Sequence, residues 1–505
     1  MAKKKAALKK KAPTKKLTAK GTKKKSGNSG SPKPPKVRVQ MFRQGLGDSF
    51  LVTFDYQGAN ERRMLIDCGT LGNSVSKTKT ANIADYLETL IGSGKKIDYL
   101  VATHEHQDHV SGFKKDLQPV LKGNVGQVWL SWAENPSDPL AQSIEKFKGD
   151  LGSALFQVSR VAPADMNCQI ALDLLGFAGD VTLGAKFAET VHDAMEFIRT
   201  ETNAKTVYHK PGELITDQIP GFRVYVLGPP RSEDCLKDLG SHRSDELYGL
   251  AAALKQTAAF HLAEESSDAG QPFDERFRQS GSRLREVQYS NYYDPQGSWR
   301  RIDYDWLSGI SELALQLDNL TNNTSLVLAF ERIADGKVLL FPADAQQGSW
   351  LSWHDPQMKW SVEHAPGKSR DVTTADLLAR TVFYKVGHHS SHNATAKGKG
   401  LELMNQRDEL VAFIPVDRGI ALTRNPKDSW QMPARALYRE LLKRCQGRVV
   451  RSDLGWAAPA KKGDLIEKEL FGLGTEAEWT EWSKNQQAAT HVSVTDPLFV
   501  DYLLK

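Results

Sequence analysis

Cysteine is scarce in this sequence, with four in 505 residues: Cys68, Cys168, Cys235 and Cys445, none in a C-x-x-C pair. That spacing argues against a zinc ribbon and against a small scaffold stapled by disulfides, and it fits a reducing, cytoplasmic setting. Long apolar runs are also missing. No stretch approaches the roughly 18 consecutive apolar residues that a membrane span requires, and the lysine run at the N-terminus has no apolar segment behind it. The expectation is a soluble, unsecreted protein with no membrane partner. Its oligomeric state is left open.

Acidic residues are absent from one place in particular. Met1 to Arg38 holds 14 Lys and one Arg with no Asp or Glu, which leaves the rest of the chain at a net charge of −9 although the whole is +6. A segment of that composition buries too little apolar surface to offset its chain entropy. Residues 1–36 are therefore expected to form a disordered tail and linker, able to hold a nucleic acid or another polyanion through salt-sensitive phosphate contacts. A solubilising extension with no partner is the alternative.

Beyond the Gly-Ser-Pro linker the pattern changes. Short β-branched and aromatic runs at Val37 to Phe42, Ser49 to Tyr56 and Arg63 to Ile66 read as strands broken by turns. Ile83, Leu87, Leu90 and Ile91 have helical spacing, and Ile97 to Ala102 reads as a strand that runs into Thr103-His104. Further strands are expected at Val125 to Leu130, Thr206 to Tyr208, Phe222 to Leu227, Ser325 to Phe330, Lys337 to Phe341, Val382 to Val386 and Leu410 to Ile414. Strands that alternate with helices after an N-terminal meander predict a layered α/β domain over 37–453. Arg231 to Arg301 is polar and without periodicity, which reads as an insertion or lid. Residues 454–505 match no recognisable motif; they could pack back on the domain or contact a partner.

The densest chemistry lies in Thr103-His104-Glu105-His106-Gln107-Asp108-His109. Three imidazoles and a carboxylate within six positions at a strand end are what borderline-soft divalent ions such as zinc or manganese require. His104 and His106, two apart in extended chain, point to one side. A turn then brings Asp108 and His109 round to a second position, so one loop can serve two ions. The alternative is a polar helix start at which Asp108 caps and the histidines are incidental.

The pattern H-x-H-x-D-H after a strand resembles the metallo-β-lactamase superfamily. Gly47-Asp48-Ser49-Phe50-Leu51-Val52 and Leu65-Ile66-Asp67-Cys68-Gly69 are similar to that superfamily's opening hairpin and first acidic motif. Three later motifs follow in order: Asn322-Asn323-Thr324-Ser325-Leu326-Val327-Leu328, then Phe341-Pro342-Ala343-Asp344-Ala345, then Lys385-Val386-Gly387-His388-His389-Ser390-Ser391. The trio resembles the metallo-β-lactamase domain of ComEC-type competence proteins, with Ala343 and Ser390 standing where those proteins carry glycine.

The resemblance implies an αββα sandwich, to which the composition adds an insertion and a basic tail, and a hydrolase that uses two divalent metal ions, Zn or Mn. It implies metal ligands His104, His106, Asp108, His109, Asp344 and His388, with Asp344 able to bridge both ions. Asp67 would orient a ligating histidine, Asp108 could also accept a proton, and His389 would orient substrate or leaving group. Either His388 or His389 could be the ligand, with His388 favoured. Any further histidine ligand would come from His192, His209 or His242. The implied activity is phosphodiester hydrolysis, as of DNA, RNA or a nucleotide. A carbonyl substrate (lactone, lactam or thioester) and a nucleic-acid-tethered scaffold or sensor with a structural metal site are the alternatives.

Overall fold

The computed structural model describes residues 33–72, 78–161, 186–237, 310–365, 367–424 and 430–505. The lysine-rich stretch before residue 33, His242 and most of the polar stretch Arg231–Arg301 lie outside the described residues.

The strands, in chain order, are β1 (Val37–Phe42), β2 (Ser49–Phe54), β3 (Arg62–Cys68), β4 (Ile97–Val101), β5 (Val125–Ser131), β6 (Lys205–His209), β7 (Leu214–Ile215), β8 (Phe222–Gly228), β9 (Val327–Arg332), β10 (Val338–Phe341), β11 (Lys359–Ala365), β12 (Lys368–Thr373), β13 (Thr381–Lys385), β14 (Val411–Ile414), β15 (Val449–Arg451), β16 (Gly455–Trp456), β17 (Val492–Ser493) and β18 (Phe499–Leu504). They form two eight-stranded sheets, ordered β17-β18-β1-β2-β3-β4-β5-β6 and β16-β15-β14-β13-β10-β9-β8-β7, with β11-β12 as a separate hairpin.

Alternate side chains of each strand enter different cores, which is why the strands read as nearly unbroken apolar runs. Val39, Phe50, Val52, Met64 and Val101 of the first sheet meet Val226, Leu328, Phe330, Phe341 and Phe413 of the second in the central core. On the outer face of the first sheet, Leu51, Leu65, Leu100 and Val128 pack with Ile83 and Leu87 of the helix Thr80–Gly92 and with Val110, Phe113 and Leu117. The outer face of the second sheet packs Leu340, Tyr384 and Ala412 against Trp350, Trp353, Leu377 and Leu441. This is the four-layer αββα sandwich that the motif resemblance implies. The helix expected around Ile83 to Ile91 is present, extended at its start to Thr80.

Residues past Asp453 belong to both sheets. β16 pairs with β15, and β18 lies antiparallel to β1 from Val37↔Leu504 to Phe42↔Phe499. A bidentate pair, Arg38 with Asp501 at 2.8 to 3.0 Å, reinforces that register. Tyr502, 2% exposed, crosses the central core to meet Phe383 (ring centroids 5.0 Å apart) and Phe413 (6.4 Å) of the second sheet. Because this ring joins the last strand to both sheets, Tyr502→Ala should cost about 3 to 5 kcal/mol, the range for a large buried aromatic. Urea unfolding would read this as a lower midpoint; a loss under about 1 kcal/mol would mean that β18 is peripheral to the fold.

Candidate metal centre

The parallel strands β3 and β4 of one sheet and β10, β13 and β14 of the other all end at the same edge of the sandwich. Their antiparallel neighbours β2 and β9 begin there. Loops at the carboxyl ends of parallel strands are the usual place for a site in such sheets, since only there do several loops converge. Asp67 closes β3, Thr103–His109 follows β4, Asp344 follows β10, His388–His389 follows β13, and Asp48 and Ser325 precede β2 and β9. Backbone bonds bind three of these loops together: Asp48 N–H donates to Asp108 O (2.9 Å) and Gly69 N–H to Asp48 O (3.1 Å). Gly69 is required here, because a Cβ at this position would lie 2.3 Å from the carbonyl carbon of Asp108.

Hydrogen bonding determines which nitrogen each buried imidazole turns toward the centre. Asp67 is an acceptor, so His109 Nδ1–H donates to its Oδ2 (2.8 Å), leaving His109 Nε2 facing Asp344 Oδ2 at 3.1 Å. The Thr103 hydroxyl donates its single proton to the same Asp67 oxygen (2.7 Å) and so is an acceptor for His104 Nδ1 (3.1 Å). Ser325 Oγ lies 3.3 Å from the same nitrogen. His104 Nε2 is thereby turned to His106 Nδ1, 3.1 Å away. His389 Nδ1–H donates to Pro415 O (2.6 Å) and its Nε2 meets Asp108 Oδ2 (2.6 Å).

Among the carboxylates, Asp344 Oδ1 accepts from His388 N–H (2.9 Å) and from Lys385 Nζ (3.1 Å). Lys385 also forms a short ion pair with Asp48 and donates to Ala343 O (2.9 Å). Asp344 Oδ2, Asp108 Oδ1 and His109 Nε2 are buried and make no hydrogen bond. One ligand-type atom from each of Asp108, His109, Asp344 and His389 falls within 4.8 Å of the others. Buried polar atoms left without a partner are costly. A divalent cation satisfies carboxylate oxygens and imidazole nitrogens together, so the residues present fit such an ion.

The electrostatics agree with that fit. Burial, followed by the neighbouring imidazoles His109 and His106, pushes His104 well below the ordinary histidine range. Burial likewise holds His106 at about 3. Both are neutral at pH 7, the form that ligates metal. Burial acts the same way on His109, but the carboxylates of Asp344, Asp108, Asp48 and Asp67 outweigh it and raise that group well above the usual range. Burial would raise Asp344, yet His109 and Lys385 keep it well below an ordinary carboxyl. Asp318 has no such cationic support. Burial, with Asp108 and Asp344 nearby, lifts it to about 8.

The structure gathers His104, His106, Asp108, His109, Asp344, His389 and Asp67 at one place. Of the two histidines in the last motif, it is His389 that points at Asp108, whereas His388, favoured as the ligand from the sequence, turns its Nδ1 to Ser391 Oγ (2.9 Å). His209 lies elsewhere, bound to Glu213 (2.9 Å) and edge-on to Trp129, and His192 is exposed on the helix Lys186–Glu196. Sequence reasoning did not select Asp48, Lys385, Ser325 or Asp318 as site residues. The first three sit inside motifs it quoted; Asp318 carries no local signal.

Residues 43–115 match a family model described as the metallo-beta-lactamase superfamily, a segment that holds Asp48, Asp67 and the whole His104–His109 run. Among solved structures, the metallo-beta-lactamase fold protein YhfI from Bacillus subtilis is similar over 38% of this chain, at 14% identity and a TM-score of 0.17. That match spans about half, 52%, of the YhfI chain. A comparison with curated proteins returned no match.

Two expected outcomes follow from the loops and their charges. Ala343 (φ 51°) and Ser390 (φ 65°), the two positions where the motifs would carry glycine, both have left-handed backbone, and Ser390 Oγ is buried without a hydrogen bond. Ser390→Gly should therefore gain about 1 kcal/mol, strain relief and loss of the unpaired hydroxyl exceeding the added unfolded-chain entropy. A lower denaturation midpoint would count against strain there. Because the neighbouring carboxylates raise both His109 and His389, metal uptake should displace protons, and affinity should rise with pH. Calorimetry in buffers of different ionisation heat measures the release; uptake with no proton released would mean that both imidazoles are already neutral.

Proposed function

We propose that this chain is a metal-dependent hydrolase of phosphodiester bonds, a reading supported by the match of residues 43–115 to the metallo-β-lactamase superfamily model. The observation that carries the reading is the cluster of Asp108, His109, Asp344 and His389, whose ligand atoms converge within 4.8 Å while several make no hydrogen bond. His104 and His106 lie beside it, their facing nitrogens 3.1 Å apart, which provides for a second ion. When bound, a divalent pair such as zinc or manganese supplies an activated water at neutral pH and polarises the scissile group.

The chain's own residues do the positioning. Asp67 holds the His109 ring and, through Thr103, the His104 ring. Lys385 and His388 N–H occupy one oxygen of Asp344 and leave the other for the centre. His389 is fixed by Pro415 O and keeps Nε2 against Asp108, which in our reading accepts a proton during turnover. His388 stands at the half-buried rim, a place from which its ring can meet substrate or leaving group.

The preference for phosphodiesters is supported by the motif similarity to competence-type domains and by the charge of Met1 to Arg38, which would hold a polyanion near the centre. No helix among the described residues is long and apolar enough to cross a membrane. A cytoplasmic location is part of the proposal.

The test pairs elemental analysis of purified protein with hydrolysis of bis-p-nitrophenyl phosphate under added manganese or zinc. Near two ions per chain with turnover is expected, and both should fall to background in Asp344→Ala. His106→Ala should lose one ion and the turnover. No metal after reconstitution overturns the enzyme reading in favour of a scaffold. Metal without phosphodiester turnover moves the substrate class to lactones, lactams or thioesters. Removal of residues 1–33, which stops short of β1 and of the Arg38–Asp501 pair, should weaken DNA or RNA binding and flatten its salt dependence while leaving turnover of the small ester unchanged.

A further inference from the structure

Three of the four central imidazoles have the nitrogen that faces away from the cluster anchored on oxygen: His104 Nδ1 on Thr103 and Ser325, His109 Nδ1 on Asp67, His389 Nδ1 on Pro415 O. For His106 the nitrogen turned to His104 is Nδ1, so the outward one is Nε2. The group that stands across from Nε2 is Asp318, with Oδ1 at 3.7 Å. Asp318 lies on the helix Ile310–Asn323, nine positions before β9 begins, and its side chain is only 10% exposed. Its other oxygen accepts from the Nδ2 of Asn322 (3.2 Å), itself fully buried. Among the described residues, no lysine or arginine pairs with Asp318.

We propose that Asp318 is the positioning carboxylate of His106: when His106 gives Nδ1 to a metal, its ring proton resides on Nε2, and Asp318 accepts it. A neutral imidazole carries one proton, so ligation through Nδ1 leaves Nε2–H as the only tautomer. The separation of 3.7 Å is longer than a hydrogen bond, and a small rotation of the ring closes it once the donor is present. The second half of the chain thereby supports both His104, through Ser325, and His106, through Asp318, from one segment of eight residues. This relation to His106 is parallel to that of Asp67 to His109. The inference rests on the reading of His104 and His106 as metal ligands.

The test is zinc affinity, measured by competition with a chromophoric chelator, for the wild type, Asp318→Ala and Asp318→Asn. Asp318→Ala should weaken affinity by about 10 to 100-fold, the effect of removing such a partner. Asp318→Asn, whose amide oxygen still accepts, should lose less. In the zinc-loaded wild type, nitrogen-detected NMR should show an exchange-protected proton on His106 Nε2, which disappears in Asp318→Ala. A merely structural role for Asp318 would leave that proton in place. Affinities for both variants within about twofold of wild type, with the Nε2 proton unchanged, overturn the inference while leaving the hydrolase reading intact. A wild-type protein that takes up no zinc overturns both.

Discussion

Four carboxylates, those of Asp48, Asp67, Asp108 and Asp344, are buried together where the two sheets meet, none more than 2% exposed. Removing so much like charge from water is strongly unfavourable unless each oxygen is met by a donor or a cation. Most of the local architecture serves that requirement. Lys385, equally buried, is placed between Asp48 and Asp344; Thr103 supplies its amide and hydroxyl to Asp67; His388 presents its backbone N–H to Asp344. Where support is sufficient, attraction wins, and Asp344 is held well below the ordinary carboxyl range. At Asp48 burial wins over Lys385, and its value is raised. One lysine therefore does not neutralise the group. The remaining negative charge, together with lone pairs on inward-facing nitrogens, is what makes the place suited to divalent cations.

Holding these groups demands backbone that loops alone would not keep. Asp67 (φ 55°), Ala343 (φ 51°), His388 (φ 41°), His389 (φ 49°) and Ser390 (φ 65°) all have left-handed conformations without being glycine. Each such residue costs of the order of 1 to 3 kcal/mol and persists only where its surroundings over-determine it. Here the surroundings are the ends of β3, β10 and β13, fixed in register by neighbours on both sides and by the aromatic core of Phe50, Phe330, Phe341 and Phe383. The sandwich functions as a rigid frame that aims short loops.

The legible part of this protein is the part encoded in local pattern. β1, β5 and β8 were readable because buried strands are uninterrupted apolar runs bounded by turn residues, and His104–His109 because ligands clustered in one loop leave a dense local trace. Asp318 was not readable: a lone acid four residues before Asn322 resembles any helix-surface carboxylate until tertiary folding brings it to His106. Lys385 was visible only as part of a motif, because its role depends on Asp48, more than three hundred residues earlier. The choice between His388 and His389 turns on a left-handed kink, which composition does not encode. β18 was missed as a strand because Asp501 and the flanking polar residues mask its alternation, although its partner β1 was plain.

The division of labour along the chain has a physical consequence. His104, His106, Asp108, His109 and Asp67 come from the first sheet's loops, whereas Asp344, His389, Ser325 and Lys385 come from the second's, so no complete set of donors exists before the sheets have packed. Ion binding would then be linked to folding, and a bound ion would stabilise the native state over the unfolded chain. The same charges govern the approach of a substrate. Without metal the centre is a concentration of carboxylates within a body of net charge −9 beyond Arg38, which would repel a phosphodiester, the substrate class proposed above. Divalent cations held there would reverse the local sign. On this argument the ion would precede an anionic substrate, since the centre becomes attractive to an anion only after its own carboxylates have been matched.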